Sequence, residues 1–343
     1  MENINKKTAL AVFGFSCTDT ADGYAEFLIK KLKNIRADMR IDRYAFGGLA
    51  PPIVPALLRK IIKSKGDTTH VLLEISTSIY QWLDGTTEAA AREVVSEVIS
   101  VCVEEGIHPI FLLLYRNERK IATCDINKII KVECLKKEVM FIDLASDMNE
   151  TFGMGWLERH YRDDVHTNET GGRSQASIIL PIIKYFLEKP TPNFSTKRKY
   201  NKNSYLLPVH ELKGIRQDGN FTRKDYEAGY ARVESGEAAV IEFNCPKLIT
   251  GFSFVYGPWS GDIRYIAETD RGEVTGLATA FDERSYYERL GFKSFDSYRP
   301  INASKITFTY SNPNSDVRLL KGTAQLTDKH IRIVDLFFEE EKH

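Results

Sequence analysis

Proton-transfer chemistry often pairs a carboxylate with a histidine three residues further on. This chain has that pairing in the polar run Arg162-Asp163-Asp164-Val165-His166-Thr167-Asn168-Glu169-Thr170-Gly171-Gly172. A histidine that shuttles protons needs a neighbour to fix its tautomer and stabilise its cation. Asp163 stands at the spacing that supplies one within a single turn, and Asp164 fits that spacing less well. Such a pair serves a nucleophile, and a candidate lies far upstream, at Gly14-Phe15-Ser16. A small residue before a serine at a strand-to-helix turn lets the hydroxyl stand at a helix N-terminus, where backbone N–H groups can hold an oxyanion. Each motif alone is common. Together, at the first strand end and before the last helix of an α/β domain, they are far more specific.

The elements that must position these residues are legible as patterns. Residues 8–13 form a short apolar run stopped by Gly14, as in a buried parallel strand. Residues 20–34 carry apolar side chains at helical spacing. Strands are expected at 40–44, 70–75, 107–114 and 139–144. Helices are expected at 52–64, 87–105, 125–137 and 173–187. Strands alternating with helices predict βαβ units and a parallel sheet, with ligands at the carboxyl ends of the strands. Ser16, Gly47-Gly48, Ser76-Thr77-Ser78 and Tyr115-Arg116 all follow strand ends, so they face one rim. Tyr115, Arg116 and Asn117 are the candidate substrate contacts.

Residues 189–205 shift to Pro, Lys, Arg, Asn and Ser, the composition of an exposed linker. Beyond them, short β-rich runs are expected at 239–243, 249–256, 263–268, 273–281, 305–310, 317–323 and 330–338. Gly, Asn, Asp and Pro separate them, as in an antiparallel sandwich. The expected organisation is therefore an α/β domain at 1–188, a linker at 189–205 and an all-β, jelly-roll-like sandwich at 206–343. The aromatics Phe254, Tyr256, Trp259 and Tyr265 read as packing first and as sugar-stacking residues second.

Composition narrows the function. The 47 Lys and Arg balance the 47 Asp and Glu among 343 residues, so no net charge favours nucleic acid or an anionic membrane surface. No apolar run is long enough for a membrane span. The five cysteines are few, odd in number and outside metal-ligand spacing, which predicts free thiols in a reducing, cytoplasmic setting. Lys6-Lys7 ahead of residues 8–17 outlines a short signal peptide. It lacks an Ala-x-Ala-type cleavage site, and the segment reads better as a first strand. Cys17 reads as a small buried residue rather than a rival nucleophile. His108 and His160 read as structural.

Over about residues 7–188 the sequence resembles the SGNH (GDSL-like) hydrolase family. Phe13-Gly14-Phe15-Ser16 is similar to the nucleophile block, with Phe15 where an acidic residue is usual. Phe46-Gly47-Gly48-Leu49 is similar to the second block, and Asp163-Asp164-Val165-His166-Thr167-Asn168 with Gly171 to the last. The third block departs from the pattern: Ser76 stands for the usual glycine and Ser78 for the usual asparagine. The resemblance implies a three-layer, flavodoxin-like α/β domain. It implies Ser16 as nucleophile, His166 as base, Asp163 as its orienting carboxylate, and Ser16, Gly48 and Ser78 as oxyanion-hole donors. It implies no cofactor or metal. Expected partners are an acylated small molecule or a carbohydrate, with the oligomeric state open. The expected activity is that of a carbohydrate esterase or O-acyltransferase, most readily on O-acetyl groups. Losing one oxyanion donor typically costs about a hundred- to a thousand-fold in rate. The serine at 78 therefore also supports an inactive SGNH-fold protein that binds a glycan or a protein partner.

Overall fold

The computed structural model describes residues 8–77, 88–115, 125–146, 154–188, 202–297, 299–313, 317–324 and 329–341. They fall into two compact units, Met1–Lys199 and Tyr200–His343.

The first unit is built on a five-stranded parallel sheet: β1 (Ala9–Gly14), β2 (Arg40–Ala45), β3 (His70–Glu74), β4 (His108–Leu113) and β5 (Met140–Asp143), in the order β2-β1-β3-β4-β5. Every residue of β1, β3 and β4 is buried, which explains why they are apolar apart from His70, Glu74 and His108 at the strand ends. Helices cover both faces. They are α1 (Ser16–Asp19), α2 (Tyr24–Ile35), α3 (Val54–Lys65), α4 (Glu88–Glu104), α5 (Ile126–Lys136), α6 (Met154–His160) and α7 (Glu169–Leu187). On one face α2 and α7 pack together. Their core joins Leu28, Leu32, Ile179 and Ile183 to Leu10, Val12, Leu72 and Leu112 of the sheet. On the other face α3 packs on α4, and α4 on α5. This is the three-layer, flavodoxin-like order, and its chain reversal falls between β1 and β3. That crevice is where Ser16 and Glu74 emerge.

Most α/β expectations hold within a residue or two, but α2 starts four residues later than expected and α7 four earlier, and two helices were unforeseen. A one-turn helix, α1, precedes α2, because the chain turns sharply straight after Phe15. Helix α6 lay outside every expected element.

The second unit is one continuous hydrogen-bonded antiparallel sheet. It comprises β6 (Lys202–Pro208), β7 (Gly219–Arg223), β8 (Tyr226–Glu234), β9 (Ala238–Tyr256), β10 (Asp262–Thr269), β11 (Gly272–Ala278), β12 (Arg289–Ser294), β13 (Ile301–Ser311) and β14 (His330–Glu341). The two runs expected at 239–243 and 249–256 are a single strand. The β9–β13 register slips where Ala303 faces Lys247 and Lys305 faces Glu242. Pro246 lies in that slip, where no ladder bond is required of it, so the proline does not end the strand. The run at 317–323 forms no strand. Strands β7, β8 and β12 were not anticipated, although Tyr226, Ala228 and Tyr230 alternate inward along β8. Residues 202–205, assigned to the linker, already belong to β6 and pair with β14. Phe254, Trp259 and Tyr265 are buried, so packing is their role.

Candidate active site

Ser16 opens α1 immediately after β1 and is half-buried. The turn that presents it is tightly held. Phe15 O accepts from the N–H groups of Thr18 (3.1 Å) and Asp19 (2.9 Å). The Arg43 guanidinium, reaching across from β2, donates to the carbonyls of Thr18 and Thr20. Gly14 is required by crowding: a Cβ there would run into the Thr18 hydroxyl and the Glu74 carbonyl. Among the described residues, no acceptor takes the Ser16 N–H. That donor is therefore available to an oxyanion.

The second turn lies beside the first. Phe46 N donates to Gly14 O at 2.9 Å, and Leu49 N to Phe46 O at 3.3 Å. Gly48 stands at the exposed tip with φ 77°, a left-handed conformation that favours glycine.

Asp163 and His166 form the expected pair. His166 Nδ1 lies 2.8 Å from Asp163 Oδ2 and 3.0 Å from Oδ1. Asp163 Oδ1 also accepts the backbone N–H groups of His166 (2.7 Å) and Val165 (2.9 Å). Burial pushes the Asp163 carboxyl up. The backbone donors and the imidazole outweigh that and hold it below the usual carboxylate range. The carboxylate thus stays charged and directs Nε2 of His166 away from itself.

The loop carrying this pair is closed at its base. Tyr161 and Thr167 bridge, Arg162 N donates to His166 O (3.0 Å) and Asn168 N to His160 O (2.9 Å). Asn168 then caps α7, its side chain accepting from Gly171 N at 3.0 Å. Gly171 and Gly172 follow because a Cβ at either would strike the carbonyl of His160 or of Asp22.

Several bonds tie this loop to the nucleophile segment. Cys17 Sγ donates to Val165 O at 3.3 Å, Thr167 Oγ1 to Asp22 O at 3.3 Å, and Arg162 to Thr20 Oγ1 (2.9 Å) and Asp22 (3.3 Å). Cys17 is buried, and its thiol serves as a tether. Among the described residues no hydrogen bond joins Ser16 Oγ to His166. In the absence of substrate such bonds are often long.

Tyr115, after β4, is half-buried and meets Tyr161 edge-on at 5.8 Å. Burial pushes the Tyr161 phenol up, and it accepts from Gln175 at 3.0 Å. Ser78, Arg116 and Asn117 lie outside the described residues. Among the described residues no cluster of His, Cys, Asp or Glu has the makings of a metal site. No helix among them is long and apolar enough to cross a membrane.

Sequence reasoning missed Glu74. It is fully buried at the end of β3. Its Oε2 accepts from Phe15 N (3.2 Å) and Thr18 Oγ1 (3.1 Å), and its Oε1 from Thr77 N (3.2 Å) and Thr77 Oγ1 (2.7 Å). Burial raises its pKa to about 7, against the pull of those four donors. The available signal was a lone charge in an otherwise apolar strand.

No protein-family model matches the chain, and no curated protein sequence matches it. Among solved structures, it is similar to a two-domain esterase (CEX) active on acetylated mannans. The TM-score is 0.65 at 13% identity, over 98% of this chain and 92% of that one. The same esterase co-crystallised with mannopentaose gives 0.69 at 12% identity, over 99% and 92%. The likeness is one of fold: this chain has a three-layer α/β domain followed by a separate antiparallel all-β domain, and it shares that two-domain plan over nearly its whole length with the mannan esterase.

Proposed function

We propose that the chain is a serine-dependent esterase that removes acyl groups, acetyl first among them, from a carbohydrate. The observation that carries this is the Asp163–His166 pair, held by the Cys17–Val165 bond to the turn that presents Ser16. Ser16 Oγ attacks the ester carbonyl carbon. His166 takes the hydroxyl proton and returns it to the leaving alcohol oxygen. Asp163 stabilises the imidazolium that forms between those events. The N–H groups of Ser16 and Gly48 receive the oxyanion. Water then attacks the acyl-enzyme and frees Ser16. A sugar hydroxyl in place of water makes the same machinery an O-acyltransferase. The carbohydrate assignment is supported by the two-domain fold shared with an esterase active on acetylated mannans. A cytoplasmic setting belongs to the same proposal, supported by the free thiols of Cys102, Cys134 and Cys245.

A second reading is a binding protein on the same fold. The serine at position 78, where the resembled family has an asparagine that donates to the oxyanion, favours it. Intact-mass labelling with a fluorophosphonate separates the two. The esterase gives one adduct on the wild type and none on Ser16→Ala, and it releases acetate from acetylated mannan. A folded wild type that takes no adduct supports the binding reading.

A further inference from the structure

We infer that Glu74 is a positioning residue of this site, a single buried carboxylate that sets the spacing between the nucleophile turn and the loop after β3. The inference rests on the esterase reading.

The geometry divides the carboxylate into two halves. Oε2 holds the nucleophile side through Phe15 N–H, the residue just before Ser16, and through the Thr18 hydroxyl, two residues after it. Oε1 holds the third-block side through the N–H and hydroxyl of Thr77. Glu74 is itself anchored by its place in β3, where Gly14 of β1 is its register partner. The Ser16 turn is thus fixed from both sides relative to the crevice between β1 and β3.

The donors explain why a carboxylate is needed. Two of the four are backbone N–H groups that cannot accept a bond, and each faces a different oxygen. A carboxylate is the only protein side chain that offers two acceptor oxygens from one rigid plane and no donor. Glutamine has nearly the same shape but replaces one oxygen with an NH2 group. Whichever way it turns, it sets a donor against either Phe15 N–H or Thr77 N–H. The Thr18 hydroxyl also bonds the buried Tyr24 phenol at 2.8 Å, and Arg43 lies over the Thr18 carbonyl.

All four donor groups sit within three residues of Ser16 or at the neighbouring loop, and Phe15, Thr18 and Thr77 are buried. Loosening them should therefore change how well Ser16 is aimed rather than how tightly an ester binds. A misplacement of about 1 Å can cost about a hundredfold in rate.

The test follows three variants with the full chain: Glu74→Gln, Thr77→Val and Thr77→Ser. The readouts are fluorophosphonate labelling rate, and kcat and KM on an acetyl ester. Folding is checked by circular dichroism and thermal melting. Glu74→Gln should lower kcat and the labelling rate together by about ten- to a hundredfold, with KM within about threefold. Thr77→Val, which is nearly isosteric and removes one donor to Oε1, should lower kcat by a smaller factor. Thr77→Ser, which keeps the hydroxyl, should recover it. Thr77→Val covers the case in which Glu74→Gln fails to fold. If the wild type is labelled and folded Glu74→Gln or Thr77→Val reacts at the wild-type rate, the inference is overturned and the esterase reading stands. If KM rises while kcat holds, Glu74 acts on binding and the inference is likewise overturned. If the wild type takes no label, the esterase reading falls, and the inference with it.

Discussion

The thiol of Cys17 donates a hydrogen bond to the carbonyl of Val165 at 3.3 Å, across 148 residues of chain. It joins the residue after the candidate nucleophile to the residue before the candidate base. A sulfur donor is weak, and the contact matters for where it sits. Cys17→Ala should still take a fluorophosphonate adduct at Ser16, because the thiol is a tether and not the nucleophile. Its kcat on an acetyl ester should fall several-fold as the loop loosens. An adduct lost from Cys17→Ala and kept in Ser16→Ala would reverse the two assignments.

Asp163→Asn should be the most damaging conservative change. An amide donates where the carboxylate accepts, which favours the wrong tautomer of His166. A loss of about 10⁴ in kcat is the order expected for an orienting carboxylate. The Asp163 side chain is half exposed, so melting should shift little. Steady-state kinetics beside a thermal melt separates the two effects. The depressed carboxyl has a sign as well. Its contribution to stability is present above the ordinary aspartate range and is lost as pH falls through its lowered folded value.

Glu74 has the opposite sign. Its pKa rises from 4.5 to about 7 on folding, so the folded state holds a proton that the unfolded chain has released. Its contribution is fully present below about pH 4.5 and is lost as pH rises through about 7. Urea unfolding at a series of pH values should show wild type losing stability relative to Glu74→Gln across that window, by up to about 3 kcal/mol. A difference that stays flat with pH would mean the carboxyl titrates alike in both states.

Gly172→Ala should destabilise, although alanine ordinarily favours a helix over glycine by about 1 kcal/mol. The new Cβ would strike the Asp22 carbonyl and push the start of α7 away from the nucleophile segment. A cost of about 1–3 kcal/mol is typical of such overpacking. Calorimetry gives the sign, and the same variant should lose esterase activity in proportion to the displaced loop. A melting point at or above wild type would show that the contact yields easily.

The sequence by itself determined what depends on neighbours along the chain. Fully buried strands such as β1 and β4 are apolar over almost their whole length, so they announce themselves. Asp163 and His166 meet because they stand three positions apart in one turn, and Asn168 caps α7 for the same local reason. Tertiary structure alone decided the rest. Cys17 meets Val165, and Glu74 meets Phe15, only because the sheet order places β1 beside β3 and α7 beside α2. Strand β9 runs through Pro246 because its partner's register slips there, a property of the pair and not of either strand. Local bonds follow from spacing, which is written in the sequence. Long-range bonds follow from strand order and register, which exist only once the whole core has closed.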